Sequence, residues 1–180
     1  MVILGLDPGF ASLGWALLDA SGARPRCLAA GVIRTKKDGR TSIARCDDNA
    51  RRLAQIACEL DELHKAHRFA IIAAEAQSWT RFAASDRATA MVWGAIAAVA
   101  ELFNCPVVQL RPQDVKKQIT GDASASKAAL ETACHHRIGD AEKVLATVKP
   151  DSQRNHAADA LAVALASLDH RLIQAVRRLG

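Results

Sequence analysis

The chain has 180 residues, enough to bury the core of one domain, and half of them are hydrophobic, which argues against a disordered protein. Its 24 lysines and arginines exceed its 19 aspartates and glutamates, and this net charge of +5 permits a polyanionic partner without requiring one. No apolar run reaches the roughly 18 residues of a membrane span, and the first residues lack the basic segment of a secretory signal. Five scattered cysteines favour free thiols over a disulfide framework or a zinc site, so we predict a cytoplasmic protein.

The first predicted strand, residues 2–7, ends in a carboxylate. Pro8 and Gly9 end the strand just past Asp7, because proline cannot donate to a strand ladder and glycine permits a tight turn. Side chains alternate along a strand, so Asp7 shares a face with Ile3 and Gly5. Taken alone, the Asp-Pro-Gly sequence favours a turn-forming aspartate, and Asp7 becomes a site candidate only if other acids converge on it.

Two further predicted strands, 13–18 and 27–34, complete an N-terminal antiparallel meander. Five basic residues follow or end it: Arg34, Lys36, Lys37, Arg40 and Arg45. This cluster is either a solvated loop or a rim that faces phosphate.

A long helix is predicted from a cap at Ser42 to about His67, because apolar residues recur at a spacing of three to four. The stripe comprises Ile43, Cys46, Ala50, Leu53, Ile56 or Ala57, Leu60 and Leu63. We interpret it as core packing without chemistry.

A second apolar strand, 69–75, also ends in a carboxylate, Glu75. Its continuous apolar character after a helix indicates a parallel strand covered on both faces. If it lies beside the first strand, Asp7 and Glu75 stand about 5 Å apart at the backbone. Their repulsion then raises one pKa unless a cation lies between them.

The segment 77–82 precedes a second helix, predicted from a cap at Ser85 to about Phe103. The apolar face of this helix is either core or a dimer interface, and the sequence does not separate the two. Trp79 and Phe82 lie in the loop beside the acids, where aromatic side chains either pack or stack on bases.

Residues 106–110 predict a fifth strand, and Pro112 begins a short helix that contains Lys116 and ends at Gly121. Ser124 or Ser126 caps the next helix. Its first turn contains Lys127, where an ammonium opposes the helix dipole, a placement that suggests a role for that charge.

An alanine-rich helix is predicted to begin near residue 156, with Asn155 as its cap. His156 and Asp159 are three residues apart and so share one face of its first turn. An aspartate and a histidine at a helix start also arise for structural reasons alone. The final segment, 171–178, is a basic amphipathic tail.

Together, these elements resemble the RuvC-type Holliday-junction resolvases of the RNase H-like superfamily. The resemblance spans residues 2 to about 168 and rests on four ordered motifs. They are Leu4-Gly-Leu-Asp-Pro-Gly9, Ile71-Ile-Ala-Ala-Glu75, Arg111-Pro-Gln-Asp-Val-Lys-Lys-Gln-Ile-Thr-Gly121 with Lys127, and His156-Ala-Ala-Asp-Ala-Leu-Ala162.

The resemblance implies one α/β domain, 1–180, built on an RNase H-like five-stranded mixed sheet. The implied strand order is 3-2-1-4-5, with strand 2 antiparallel and helices on both faces. It also implies a homodimer that binds a four-way DNA junction and nicks two strands symmetrically.

The resemblance also assigns roles to individual residues. Asp7, Glu75 and Asp159 match the catalytic acids of the family. His156 stands where many members have a fourth acid, and imidazole is a competent neutral metal ligand. The basic positions near the scissile phosphate are matched by Lys116 and Lys127.

Two loops contain the residues that we expect to contact DNA. The 77–82 segment corresponds to one with an aromatic that wedges at the junction centre, so Trp79 and Phe82 are both candidates, with Arg81 beside them. The basic cluster after the third strand adds Lys36, Lys37 and Arg40 as candidates, on the basis of their charge and not of the resemblance.

The residues fit metal-dependent phosphodiester hydrolysis, which needs an activated water, a shielded phosphate and a stabilised leaving oxygen. Two divalent ions about 4 Å apart supply all three. Hard cations prefer oxygen ligands, so we expect two Mg²⁺ ions per site, with Mn²⁺ as a substitute, held by Asp7, Glu75, His156 and Asp159.

The sequence leaves three alternative functions open. One is a phosphotransferase of the actin-like ATPase superfamily, although no second glycine-rich phosphate loop is present. Another is a branched-DNA-binding module without nuclease activity, because His156 replaces an acid. The third is the same nuclease acting on other branched or looped DNA or on RNA–DNA hybrids.

Overall fold

The computed structural model describes residues 1–40, 42–77 and 83–179. Its strands are β1 Val2–Asp7, β2 Ser12–Asp19, β3 Arg26–Arg34, β4 Ile71–Glu75 and β5 Val107–Leu110. Its helices are α1 Arg45–His67, α2 Ala83–Leu102, α3 Pro112–Thr120, α4 Lys127–Arg137, α5 Ala141–Leu145, α6 Arg154–Ser167 and α7 Arg171–Leu179, with a 3-10 turn at Asp151–Gln153 before α6.

The five strands form one mixed sheet in the order β3-β2-β1-β4-β5. β2 runs antiparallel to both β1 and β3, and β4 runs parallel to β1 and β5. The predicted strand order, and the antiparallel direction of strand 2, are therefore confirmed.

Each face of the sheet is covered by a separate hydrophobic cluster, as strand alternation requires. On one face, Leu4, Leu6 and Ile72 pack with residues of α1 and α2. On the other face, Ile3 and Ala73 pack with residues of α3 to α6. Asp7 and Glu75 continue the second set, so their side chains belong to the α6 face.

Several helices begin at residues other than those predicted. α1 begins at Arg45 after Ala44, which makes no side-chain cap bond, so the cap predicted at Ser42 is wrong. α2 begins at Ala83 and α6 at Arg154, which places Ser85 and Asn155 inside their helices rather than at the caps. The predicted boundaries of α3 are confirmed, since Gly121 ends it with φ of 83°.

Two N-cap residues were predicted for α4, Ser124 and Ser126, and one of them is observed. Ser126 is the N-cap, and its side chain accepts a hydrogen bond from the backbone N–H of Ala129. Lys127 is consequently the first residue of the helix, which fixes the position of its ammonium.

The apolar stripe predicted along α1 is wrong in its first half. Cys46 and Ala50 are exposed, whereas the buried residues of the helix are Asp48, Arg52, Ile56 and Leu60. These four recur at i, i+4 spacing, so α1 turns one continuous face toward the sheet, and two charged side chains lie at its N-terminal end.

All five cysteines are free, as predicted, but only Cys27, Cys105 and Cys134 are buried. Across the described part of the chain, no helix combines the length and apolar character needed to cross a bilayer.

Candidate active site

The site begins where two parallel strands end side by side. Leu6 of β1 pairs with Ala74 of β4, and the next residues along the two strands are Asp7 and Glu75. Parallel strands lie about 4.8 Å apart, so the two carboxylates leave the backbone as close neighbours on one face. Asp7 is only 22% exposed, so its charge is poorly hydrated.

α6 packs against this face so closely that two glycines are required beneath it. A Cβ on Gly5 would lie 2.1 Å from the carbonyl oxygen of Ala160, and one on Gly14 would lie 2.1 Å from that of His156. Gly14 pairs with Asp7 across β1 and β2. The missing side chains therefore let the first turns of α6 descend onto the strand end that holds Asp7.

His156 bonds directly to Asp7. The His156 Nδ1 lies 2.8 Å from Oδ2 of Asp7, although 149 residues separate the two in sequence. A carboxylate only accepts, so Nδ1–H donates. In a neutral imidazole this leaves the lone pair on Nε2, which then faces away from Asp7 and can bind a ligand.

Asp159, one turn further along α6, is paired with Lys127 of α4. Lys127 Nζ donates to Asp159 Oδ2 over 2.6 Å, and the two side chains are 54% and 28% exposed. The lysine that opposed its own helix dipole is thus held at the site by a carboxylate from another helix.

Three carboxylates compete for the same poorly solvated space. Burial, together with repulsion from Asp7 and Asp159, raises the pKa of Glu75 to about 7, although Lys127 and Lys116 partly offset this. Burial also raises the pKa of Asp7, and repulsion from Asp159 adds to it, against the hydrogen bond from His156. The site therefore has more negative charge than its own lysines neutralise.

A cavity of about 210 Å³ opens beside these residues. Four charged side chains line it, and the remaining walls are apolar: Glu75, Lys116, Lys127 and Asp159, with Pro112, Val115, Leu130 and Ala162. Residues from β4, α3, α4 and α6 therefore meet around one space, although they lie far apart in the sequence.

The donor set fits a divalent cation in its chemistry. Carboxylate oxygens and a neutral imidazole are suitable ligands, and the mutual repulsion of the acids is what a bound cation would relieve. Within the described residues, however, no three of these side chains are placed to hold one ion together as they stand. Two of the acids are instead hydrogen-bonded within the protein, Asp7 to His156 and Asp159 to Lys127.

The residues predicted to contact DNA differ in whether the structure describes them and in whether their charge is paired. Trp79, Arg81 and Phe82 lie outside the described residues. Arg40 is exposed but forms a two-pronged pair with Asp38, with Nη2 to Oδ2 at 2.7 Å, so its charge is largely compensated. Lys36 and Lys37 are exposed, and neither side chain has an ion-pair partner within the described part of the chain.

Sequence reasoning missed Arg52, which holds the loop after Asp7. It is 8% exposed, and it donates from Nε to Thr35 Oγ1 over 2.9 Å and from Nη2 to the Phe10 carbonyl over 3.2 Å. Thr35 also donates to the same carbonyl. The available signal was a charged residue four positions before Ile56, on the face that the helix buries.

Comparison with known proteins identifies relatives along nearly the whole chain. The family model for crossover junction endodeoxyribonuclease RuvC matches residues 3–167. The RuvC crossover junction endodeoxyribonuclease of Gloeobacter violaceus is 32% identical over 178 residues, 98% of this chain and 93% of that protein. The corresponding protein of Bartonella tribocorum is 34% identical over 173 residues, covering 94% and 89%.

A solved structure of Thermus thermophilus RuvC in complex with a Holliday junction substrate superposes with a TM-score of 0.78. The two chains are 24% identical, and the match covers 97% of this chain and 96% of that one. At this identity the likeness establishes a shared fold.

Proposed function

Because this chain belongs to the RuvC family of crossover junction endodeoxyribonucleases, we propose that it cuts four-way DNA junctions by paired nicks at the site built around Asp7. The observation that carries the assignment to these residues is their convergence. Asp7 bonds to His156. Repulsion from Asp159 raises the pKa of Asp7, and repulsion from both of these acids raises the pKa of Glu75.

The reaction is hydrolysis of a phosphodiester. Asp7, Glu75, His156 and Asp159 would hold the divalent metal, for which we propose two Mg²⁺ ions with Mn²⁺ as a substitute. Bound there, the metal supplies an activated water and neutralises charge on the phosphate and the leaving oxygen.

The protein's own side chains orient the imidazole of His156 and neutralise charge on the phosphate. Asp7 fixes the imidazole of His156 so that Nε2 points outward, and the close packing of α6 on β1 keeps both groups in place. Lys127 and Lys116 line the same cavity as Glu75 and Asp159, and their positive charge stabilises the negative charge that develops on the phosphate. Lys127 must exchange its contact with Asp159 for the phosphate when DNA binds.

Paired nicking requires two copies of the site, so we propose a homodimer. The exposed side of α2 supports this proposal, because it presents small residues and Leu102, which is 79% exposed. We further propose that the chain is one domain and that it acts in the cytoplasm, where its DNA substrate lies and its five free thiols stay reduced.

The decisive experiment compares wild type with Asp7→Asn on a labelled four-way junction, with Mg²⁺ or Mn²⁺. We expect wild type to nick two strands symmetrically, and the variant to bind the junction but lose cleavage by at least about 10²-fold, the scale on which loss of a catalytic electrostatic group is felt.

Circular dichroism serves as the folding control for this variant. Normal cutting by Asp7→Asn would remove Asp7 from the mechanism. Junction binding by wild type without cleavage under either metal would instead identify a DNA-binding module.

A further inference from the structure

A second basic cavity lies on the opposite face of the sheet from α6, between α1, α2 and the loops after β1 and β3. It measures about 640 Å³, and four cationic side chains line it: Lys37, Arg45, Arg52 and Arg87. It shares no lining residue with the cavity beside Glu75. It is therefore a separate site at the same edge of the molecule.

The protein compensates the positive charges in this cavity only in part. Asp48 is the acid among its lining residues, and that carboxylate already accepts from Arg51 Nη2 over 2.7 Å and from the Asp38 backbone N–H over 3.2 Å. Lys37, Arg45 and Arg87 have no hydrogen-bond or ion-pair partner within the described residues. The cavity is thus a local excess of positive charge.

Arg52 is a buried cation in the wall of this cavity, and Asp48 is near enough to interact with its charge. Its side chain is 8% exposed, and its guanidinium lies 3.9 Å from the centroid of the Phe10 ring. Nε and Nη2 donate to Thr35 and Phe10, but Nη1 has no partner among the described residues. Burying a guanidinium without a hydrogen-bonded carboxylate is costly, and a bound anion would offset that cost.

We propose that this cavity binds a backbone phosphate of the branched DNA, outside the phosphate that is cut. The proposal rests on the proposed function, because it takes the ligand to be the nuclease's own substrate. Arginine guanidinium groups match phosphate oxygens in geometry, and phosphate contacts set the register of a protein on DNA. The site therefore positions the strand for cleavage.

The position of the contact follows from the chain. Phe10 is three residues past Asp7, so their backbones are at most about 11 Å apart. A strand that passes from one face of the sheet to the other must also cross the sheet edge, so at a rise of about 3.4 Å per step the contact lies several steps from the cut phosphate. The contacted phosphate is thus expected within a few nucleotides of the nick.

The test removes two charges that make no internal contact. Arg45→Gln/Arg87→Gln keeps Arg52, whose loss would also disturb the Phe10 loop. Arg24→Gln is the matched control, because Arg24 is an exposed arginine in the turn between β2 and β3, at the opposite end of the sheet. Junction affinity is measured without divalent metal over a series of salt concentrations.

We expect the slope of log K against log salt to shrink by about 0.9 for each phosphate that the protein no longer neutralises, so by about 0.9 per cavity in the double variant and not in Arg24→Gln. A slope unchanged from wild type would overturn the site while leaving the proposed function intact. Failure of wild type to bind any junction would overturn the proposed function, and this site with it.

A second measurement locates the phosphate. Single neutral methylphosphonates are placed at successive positions around the mapped nick. One position a few nucleotides away should weaken wild type but not the double variant, whereas equal weakening of both proteins at every position would refute the contact. Inorganic phosphate at millimolar concentration should leave the melting temperature of wild type unchanged, and a rise that is absent from the double variant would identify a free-anion site instead.

Discussion

Asp7 and His156 form the central pair of the proposed site. Their 2.8 Å contact ties the end of β1 to the first turn of α6 and orients the imidazole. As a proposed metal ligand, His156 would be neutral where a carboxylate would add a negative charge. The choice between them sets how strongly the site attracts hard cations such as Mg²⁺.

Replacing this histidine by an acid changes that balance. We expect His156→Asp to remain active and to shift its metal preference from Mn²⁺ toward Mg²⁺, because it adds a hard oxygen ligand. The measurement is the ratio of nicking rates in the two metals. His136→Asp, an exposed site at the end of α4, is the control, and an unchanged ratio in His156→Asp would show that His156 is not a ligand.

Glu75 provides a prediction for pH. Its pKa is about 7 in the folded protein against 4.5 for the ordinary group, so between these values the native state keeps a proton that the unfolded chain has lost. The stability of the metal-free protein therefore falls as pH rises through this window. Glu75→Gln removes the effect and should melt higher than wild type at pH 8, but not at pH 4.5.

The difference in melting temperature between the two proteins, measured in chelator at several pH values, checks this sign. Glu62→Gln, an exposed glutamate on α1, should show no such trend. A difference that is constant with pH would mean that Glu75 titrates normally in the folded protein.

At the scale of elements, the contact between α6 and the sheet builds the site. His156 and Asp159 reach the strand ends only because Gly5 and Gly14 leave no side chain under the helix. The same helix buries Ala157, Ala160, Leu161 and Ala164, small and medium residues that allow a short separation. Site geometry and core packing are therefore inseparable in this region.

Gly5→Ala should consequently cost stability and activity together. Its Cβ would lie 2.1 Å from the Ala160 carbonyl and 2.8 Å from the Ala164 Cβ, so α6 must move away from β1. Overpacking of this kind costs about 1–3 kcal/mol, which corresponds to several degrees in melting temperature. Thermal unfolding and the nicking assay measure the two effects.

Gly139→Ala is the matched control, because a Cβ there meets nothing within 4 Å. It should leave both measurements unchanged. A Gly5→Ala protein that melts and cuts like wild type would show that α6 can sit further from the sheet without loss.

At the scale of the whole molecule, the sheet separates the two proposed sites and leaves one side of α2 exposed. The acidic residues lie on the α6 face, the basic cavity lies on the face of α1 and α2, and both open at the edge where β1 ends. A DNA strand that crosses this edge can contact both. The exposed side of α2, with Gly94, Ala98 and Leu102, is then available to a second copy.

Ala98→Arg should disrupt the proposed dimer, because a buried unpaired charge is costly in an apolar interface. Sedimentation should show a monomer, and symmetric paired nicking should give way to single nicks or none. Ala54→Arg, at an exposed alanine of α1, should keep the wild-type state. A dimer that survives Ala98→Arg would place the interface elsewhere.

The strand order was predicted through the resemblance to the RuvC-type resolvases, whereas the residues alone predicted the face that holds Asp7 and Glu75 and the helix that contains His156 and Asp159. Period-two and period-3.6 patterns, with two strands ending in acids, are local signals that survive without tertiary information. The helix starts at Ser42, Ser85 and Asn155 were wrong, because each depends on which backbone groups the neighbouring elements leave unpaired.

The partner of each charged side chain depends on how the folded chain packs. It paired Lys127 with Asp159 across two helices, neutralised Arg40 with Asp38, and buried Arg52 beside Phe10. These pairings join residues whose meeting depends on how closely helices pack on the sheet, and no local pattern encodes that distance. The sequence thus predicted which residue types form the proposed site, and the packing determined which of their side chains are paired within the protein.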